Sequence, residues 1–149
     1  IQTPYFIPDE VMISALNVAR MSGVEINLMI PAIPDKKVVY MATLSYVKEL
    51  LNFGSNVNVY LYNGFIHSKV VMIDDKVVSI GTCNFDNRSF ALNFEINAFL
   101  YGEEISKQNI AIFENDVVNS KKIDKTYFKR KPWYSKIAQT FFRLFSPLL

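Results

Sequence analysis

At 149 residues, 50% of them hydrophobic and 14% aromatic, the chain is long and apolar enough to bury a core of its own, which excludes a disordered segment. A single cysteine, Cys83, leaves no partner for an internal disulfide, and no run of about eighteen apolar residues offers a membrane-spanning helix. The net charge of +2 hides an asymmetry: residues 1–118 hold 8 Lys and Arg against 13 Asp and Glu, whereas residues 119–149 hold 8 against 1, so the tail is where an anionic partner is expected.

In chain order, Ile1-Gln2-Thr3-Pro4-Tyr5-Phe6 reads as a strand already under way, and without an initiator Met or a signal peptide the expectation is a fragment of a longer protein. Pro8-Asp9-Glu10 then opens a helix with apolar positions at Val11, Ile13, Leu16, Val18 and Ala19, closed by Gly23. Val24 to Ile30 is an apolar β run stopped by Pro31, and Lys37 to Phe53 has helical spacing up to Gly54. Strands are expected at Val57 to Tyr62, Val70 to Ile73, Val77 to Ile80 and Phe94 to Tyr101, and a helix from Glu103 to Val118. Strand-helix alternation followed by consecutive strands predicts an α/β fold, a mixed β-sheet flanked by helices. The one composition shift, near Asn119, divides a lobe of residues 1–118 from a basic, aromatic tail of residues 119–149.

Chemistry concentrates around the only histidine. His67-Ser68-Lys69 is followed by Asp74 five residues past Lys69, Gly81 seven further on and Asn84 three after that. On average residue usage such a pattern arises by chance in roughly one chain of this length in 10⁴ to 10⁵. In an extended segment side chains at i and i+2 share a face, so His67 and Lys69 converge. The returning strand brings Gly81, where another group can come close, then Thr82 and Asn84 as hydroxyl and amide donors. A cationic, donor-rich pocket around an imidazole suits a phosphate. Glu95 lies in an otherwise apolar run, where a carboxylate needs a partner. It either orients and charges the His67 imidazole or sits on an edge-strand surface, and Asn97 shares its face. Tyr5, Arg20 and Asp86 are neighbours in the pattern that can line the same site.

The run Gly64-Phe65-Ile66-His67-Ser68-Lys69-Val70-Val71-Met72-Ile73-Asp74-Asp75, with Gly81-Thr82-Cys83-Asn84-Phe85-Asp86-Asn87-Arg88-Ser89-Phe90 and Leu92-Asn93-Phe94-Glu95-Ile96-Asn97, resembles the HKD signature of the phospholipase D superfamily. It looks like the second motif of bacterial cardiolipin synthases, and Thr3 to Asp9 and Ser146 to Leu149 extend the likeness over essentially the whole chain. Thr82 and Phe85 stand where many relatives carry serine and leucine. The resemblance implies one lobe of a two-lobed phospholipase D fold with the active site between lobes. The family's histidine, lysine and asparagine fall on His67, Lys69 and Asn84, its hydroxyl on Thr82 and its orienting carboxylate on Glu95, while Asp74 and Gly81 belong to the structural part of the motif. It further implies phosphatidyl transfer through a phosphohistidine, two phosphatidylglycerols giving cardiolipin and glycerol, with no metal or cofactor. One histidine cannot serve as nucleophile and acid together, so the implied partner is an N-terminal HKD lobe or a homodimer mate, with His67 as the acid/base member. The parent protein is then expected at the bacterial cell membrane, the fragment itself being soluble or peripheral.

In the tail, Trp133, Ile137, Phe141 and Phe145 recur at four-residue steps after Lys129-Arg130-Lys131, with Lys136 and Arg143 beside them. Residues 129–149 therefore read either as an amphipathic helix on an anionic lipid surface or as a C-terminal helix packed on the lobe. Two other functions fit the residues: a nuclease or phospholipase D of the same superfamily, and a non-catalytic isolated lobe. Net acidity of residues 1–118 speaks against nucleic acid as the partner.

Overall fold

The computed structural model describes residues 1–130, 132–133 and 141–144. Along the chain run β1 (Phe6–Ile7), α1 (Glu10–Met21), β2 (Ile26–Pro31), α2 (Lys37–Asn52), β3 (Val57–Tyr62), β4 (Val70–Ile73), β5 (Val77–Gly81), β6 (Phe85–Asp86), α3 (Asn87–Ala91), β7 (Asn97–Tyr101), α4 (Glu103–Val118), β8 (Ser120–Ile123) and α5 (Lys125–Lys129). The ends of α1 follow local chemistry. Asp9 caps α1 by accepting the Met12 N–H at 2.7 Å. Gly23, at φ +90°, lets the chain leave that helix in a left-handed turn.

One three-stranded sheet has the order β2-β3-β8, with β2 parallel and β8 antiparallel to β3, and the other is the antiparallel set β4-β5-β7. Gln2 stitches them together, bridging Met29 in parallel and Val70 antiparallel. Its N–H donates to the Val70 carbonyl at 2.8 Å and its carbonyl accepts the Val70 N–H at 2.9 Å. The mixed sheet expected from the element order is thus present, with helices against it. Short β1 pairs in parallel with β6, placing Phe6 over Phe85 with ring centroids 5.4 Å apart.

Alternation in β3 decides the layers. Val57, Val59 and Leu61 are buried and share a core with Leu28 and Ile30 of β2 and with Leu44, Val47 and Leu50 of α2. Tyr60, of opposite parity, meets Phe113 of α4 edge to face at 6.1 Å. The composition shift at Asn119 falls just before β8, and packing continues through it, since Ile123 and Phe128 lie in the same core. Most of residues 129–149, on which the amphipathic-helix expectation rests, lie outside the described residues. Within them, Arg143 pairs with Glu49 of α2 at 2.5 Å and its guanidinium lies 4.5 Å from the centre of the Tyr46 ring.

Candidate active site

Parallel strands β2 and β3 end side by side, and the loops that follow them are tied together: Ala32 N–H donates to Tyr62 O at 2.8 Å and Ile33 N–H to Gly64 O at 3.1 Å. The crevice beyond the carboxyl ends of such strands is where α/β folds place ligands, and the chain carrying His67 runs directly out of it. His67 is exposed and its ring stacks on Phe65, with centroids 5.7 Å apart and planes at 26°. Lys69 Nζ donates to the His67 carbonyl at 2.7 Å.

His67 and Lys69 form the lead-in to β4, which begins at Val70 as the sequence predicts, where Gln2 provides pairing. The ladder reaches back one residue only, through the Gly81 N–H to the Lys69 carbonyl at 3.2 Å. At the other end of β4, Asp74 sits in the turn to β5 with φ +49°.

The group that comes close at Gly81 is the neighbouring strand. A Cβ there would lie 2.1 Å from Asn97 Oδ1 and 2.2 Å from the Ile96 carbonyl oxygen. Asn97 uses this closeness, donating to Ser79 Oγ at 2.9 Å and accepting the Cys83 N–H at 3.2 Å. Thr82 acts next to it: its N–H donates to Ile96 O at 3.0 Å and its hydroxyl accepts the Ile96 N–H at 2.9 Å. That hydroxyl takes a place in the backbone pairing, so β7 begins at Asn97 and Glu95 lies on the approach to it, not inside the expected strand from Phe94.

Glu95 accepts Ser89 Oγ–H at 3.0 Å and Asn93 Nδ2–H at 3.1 Å. No hydrogen bond joins it to His67 among the described residues. Asn84 lies beside the same serine, its N–H donating to Ser89 Oγ at 3.2 Å. Its side chain bonds to Asp86, and its Oδ1 is buried without a partner. Asp86, on buried β6, accepts the Ser89 N–H at 2.7 Å and caps α3.

Electrostatics link these groups. Partial burial lowers the pKa of Lys69 from the usual lysine value, opposed by the negative charges of Glu95, Asp35 and Asp86. The Thr82 hydroxyl is the leading cause that holds Glu95 below the usual carboxylate range; desolvation opposes it, and Asn93, Ser89 and the charge of Lys69 add to the lowering. Burial pushes Asp86 up. Tyr5 also belongs here: its hydroxyl donates to Asp35 at 2.5 Å, and burial and that bond raise the phenol. Arg20 does not belong, because its backbone carbonyl accepts from Asn56 just before β3, at the opposite end of the parallel strands.

Lys69, Thr82, Asn84 and Glu95 are thus connected by hydrogen bonds and charge, whereas His67 joins them only through its carbonyl, which accepts from Lys69. Sequence reasoning missed Ser89 and Asp35. The signal available for Ser89 was its place three residues after Asp86, the spacing of a helix cap. Among the described residues no group of three or more His, Cys, Asp or Glu converges as a metal site.

The family described as cardiolipin synthase, PLD-like domain, matches residues 1–117. Over 150 aligned residues the chain is 51% identical to Cardiolipin synthase 1 of Staphylococcus epidermidis, which covers all of the chain and 30% of that protein. It is 46% identical to the major cardiolipin synthase of Bacillus subtilis, covering all of the chain and 31% of that protein. The chain therefore spans about a third or less of the length of these curated relatives. Among solved structures, the phosphatidylserine synthase of Haemophilus influenzae superposes with a TM-score of 0.70 at 18% identity, over 99% of this chain and 39% of that one. Nuc of Salmonella typhimurium, a phospholipase D family member, gives 0.66 at 19% identity over 83% of this chain and 79% of its own.

Proposed function

The chain belongs to the cardiolipin synthase family of phospholipase-D-like domains, and on that premise we propose that it supplies one of two phosphate-handling half-sites of a phosphatidyltransferase. The reaction is the joining of two phosphatidylglycerols into cardiolipin with release of glycerol. The observation that carries this reading is the linkage of Lys69, Asn84 and Glu95 beside the only histidine, at the carboxyl ends of β2 and β3.

In the proposed sequence one histidine attacks the phosphodiester phosphorus while the bond from phosphorus to the glycerol oxygen breaks. The departing oxygen takes its proton from the second histidine. That second histidine then removes the proton from the hydroxyl of another phosphatidylglycerol, whose oxygen attacks the phosphohistidine, and the phosphorus–nitrogen bond breaks. His67 takes the acid/base role. Lys69 opposes negative charge on the phosphoryl oxygens, and Thr82 and Asn84 complete the phosphate pocket. Glu95, its carboxyl held below the usual carboxylate range, supports the charge of Lys69 in this pocket. The other histidine comes from an N-terminal HKD lobe or from a second copy of this chain.

The working protein then sits at the bacterial cell membrane, with residues 129–149 meeting the lipid surface. Among the described residues no helix is long and apolar enough to cross a membrane. The test is lipid mass spectrometry on cells without cardiolipin synthases of their own, expressing the full-length parent intact or with His67→Ala. Cardiolipin from the intact parent alone supports the proposal. Its absence from both removes the synthase reading and directs the search to other acceptor alcohols and to nucleic acid.

A further inference from the structure

We propose that Ser89 is a positioning residue that fixes Glu95 and Asn84 at the half-site, a role that rests on the phosphatidyltransferase reading above. Ser89 is 4% exposed and is the one buried residue of α3. A five-residue helix has little stability of its own, because forming a first turn orders several residues for few hydrogen bonds. This one is held from outside, through the Asp86 carboxylate that accepts the Ser89 N–H at 2.7 Å. What it presents inward is a single hydroxyl, which donates to Glu95 Oε1 at 3.0 Å and accepts the Asn84 N–H at 3.2 Å. The serine's N–H, hydroxyl proton and an oxygen lone pair are all engaged, and two of the three contacts end on residues of the proposed site.

The other contacts of Glu95 cannot fix it in the same way. Asn93 is exposed and only two residues away, so it moves with Glu95. Thr82, the strongest donor to Glu95, is exposed as well, and the Ile96 N–H that its hydroxyl accepts is next to Glu95 in the chain, so this contact is anchored to the same segment. Ser89 alone among these partners is buried. It leads back through Asp86 to β1, because Asp86 pairs with Ile7 in the parallel β1–β6 ladder and Ile7 is buried in its turn. The path Ile7–Asp86–Ser89–Glu95 ties the carboxylate to the packed interior, and the same hydroxyl fixes the backbone from which Asn84 projects. A carboxylate so held keeps its direction toward the pocket whose lysine, Lys69, feels its charge.

The test compares the full-length parent protein with its Ser89→Ala, Ser89→Cys and Ser89→Thr variants on phosphatidylglycerol vesicles. Removing the hydroxyl should lower kcat by about 10- to 100-fold with KM nearly unchanged, as loss of an orienting partner does. The acid limb of the pH profile should move to higher pH, because Glu95 loses a donor to its ionised form, and Ser89→Thr should restore both. Cysteine, close to serine in size but a weak donor, should follow alanine; it serves if the alanine variant fails to fold. In the same proteins the ¹³C titration of the Glu95 carboxyl should move upward in the Ala and Cys variants and return in Thr. Lower melting temperatures with wild-type kcat, pH profile and Glu95 titration would overturn the proposal, leaving Ser89 as a fold residue only. If the wild-type parent turns over no phosphatidylglycerol, the functional reading fails by itself. The carboxyl titration then still decides Ser89, an upward move sustaining the positioning role and an unmoved one overturning it.

Discussion

Gly81→Ala is the substitution whose effect the structure fixes most tightly. The added methyl carbon would stand 2.1 Å from Asn97 Oδ1 and 2.2 Å from the Ile96 carbonyl oxygen. The second neighbour is backbone, so no rotamer change relieves it, and β5 must separate from the start of β7. In the path of that movement lie the bonds Thr82 N–H to Ile96 O at 3.0 Å, Ile96 N–H to Thr82 Oγ1 at 2.9 Å, Cys83 N–H to Asn97 Oδ1 at 3.2 Å and Asn97 Nδ2–H to Ser79 Oγ at 2.9 Å. Overpacking costs about 1–3 kcal/mol, and stretching two of these bonds about 1 kcal/mol each, for a total of roughly 3–5 kcal/mol. For a chain of this size that corresponds to a melting temperature lower by roughly 6–20 °C. Gly23→Ala provides the comparison, since its methyl meets nothing within 4 Å and only the left-handed φ of +90° is strained; its effect should be about 1–2 kcal/mol. Urea unfolding followed by circular dichroism measures both. A Gly81→Ala loss below about 1 kcal/mol, or smaller than that of Gly23→Ala, would refute the close-approach argument.

Three other predictions concern the charges and the histidine. Glu95 is the first of the charges that oppose the desolvation of Lys69, so Glu95→Gln should lower the Lys69 pKa further, and an unchanged lysine ¹³Cε titration would contradict the coupling. Asp86 is raised by burial, so the folded chain holds its proton more tightly than the unfolded one. The resulting stability is complete below the ordinary carboxylate pKa, about 4, and is lost as pH rises through the raised value. Asp86→Asn keeps an oxygen to cap α3 and should flatten that fall in melting temperature with rising pH; an unaltered slope would count against it. Finally, this chain held as a monomer should show no phosphatidyl transfer, because it contains one histidine. Steady turnover by a monomer verified by sedimentation would exclude the two-histidine scheme.

Elements with a full period or a clear cap were legible in the sequence. Val57–Tyr62 alternates cleanly and is β3, and Glu103–Val118 is α4 as its spacing predicts. Asp9 announces α1, and its side chain does cap that helix. The two-residue β6 and five-residue α3 are too short to carry a period, and β8, Ser120–Ile123, has one apolar residue and pairs only because β3 offers an edge. The site residues could be named from their spacing, but their contacts could not. At Gly81 the sequence allows another group to come close, but that the group is Asn97 and Ile96 is a long-range pairing invisible along the chain. Glu95 reads in the sequence as an in-strand carboxylate that either faces His67 or sits on an edge-strand surface. The Thr82 hydroxyl instead takes the Ile96 N–H and delays β7, which leaves Glu95 with Ser89 and Asn93.

The central claim, that His67 heads a phosphatidyl-transfer half-site, is tested most directly by turnover of phosphatidylglycerol vesicles by the purified full-length parent and its His67→Ala variant. Cardiolipin and glycerol should appear in equal amounts with the intact protein. The variant should lose about 10³-fold or more in kcat while binding vesicles equally well. Cardiolipin formed at the same rate by both proteins would contradict the account.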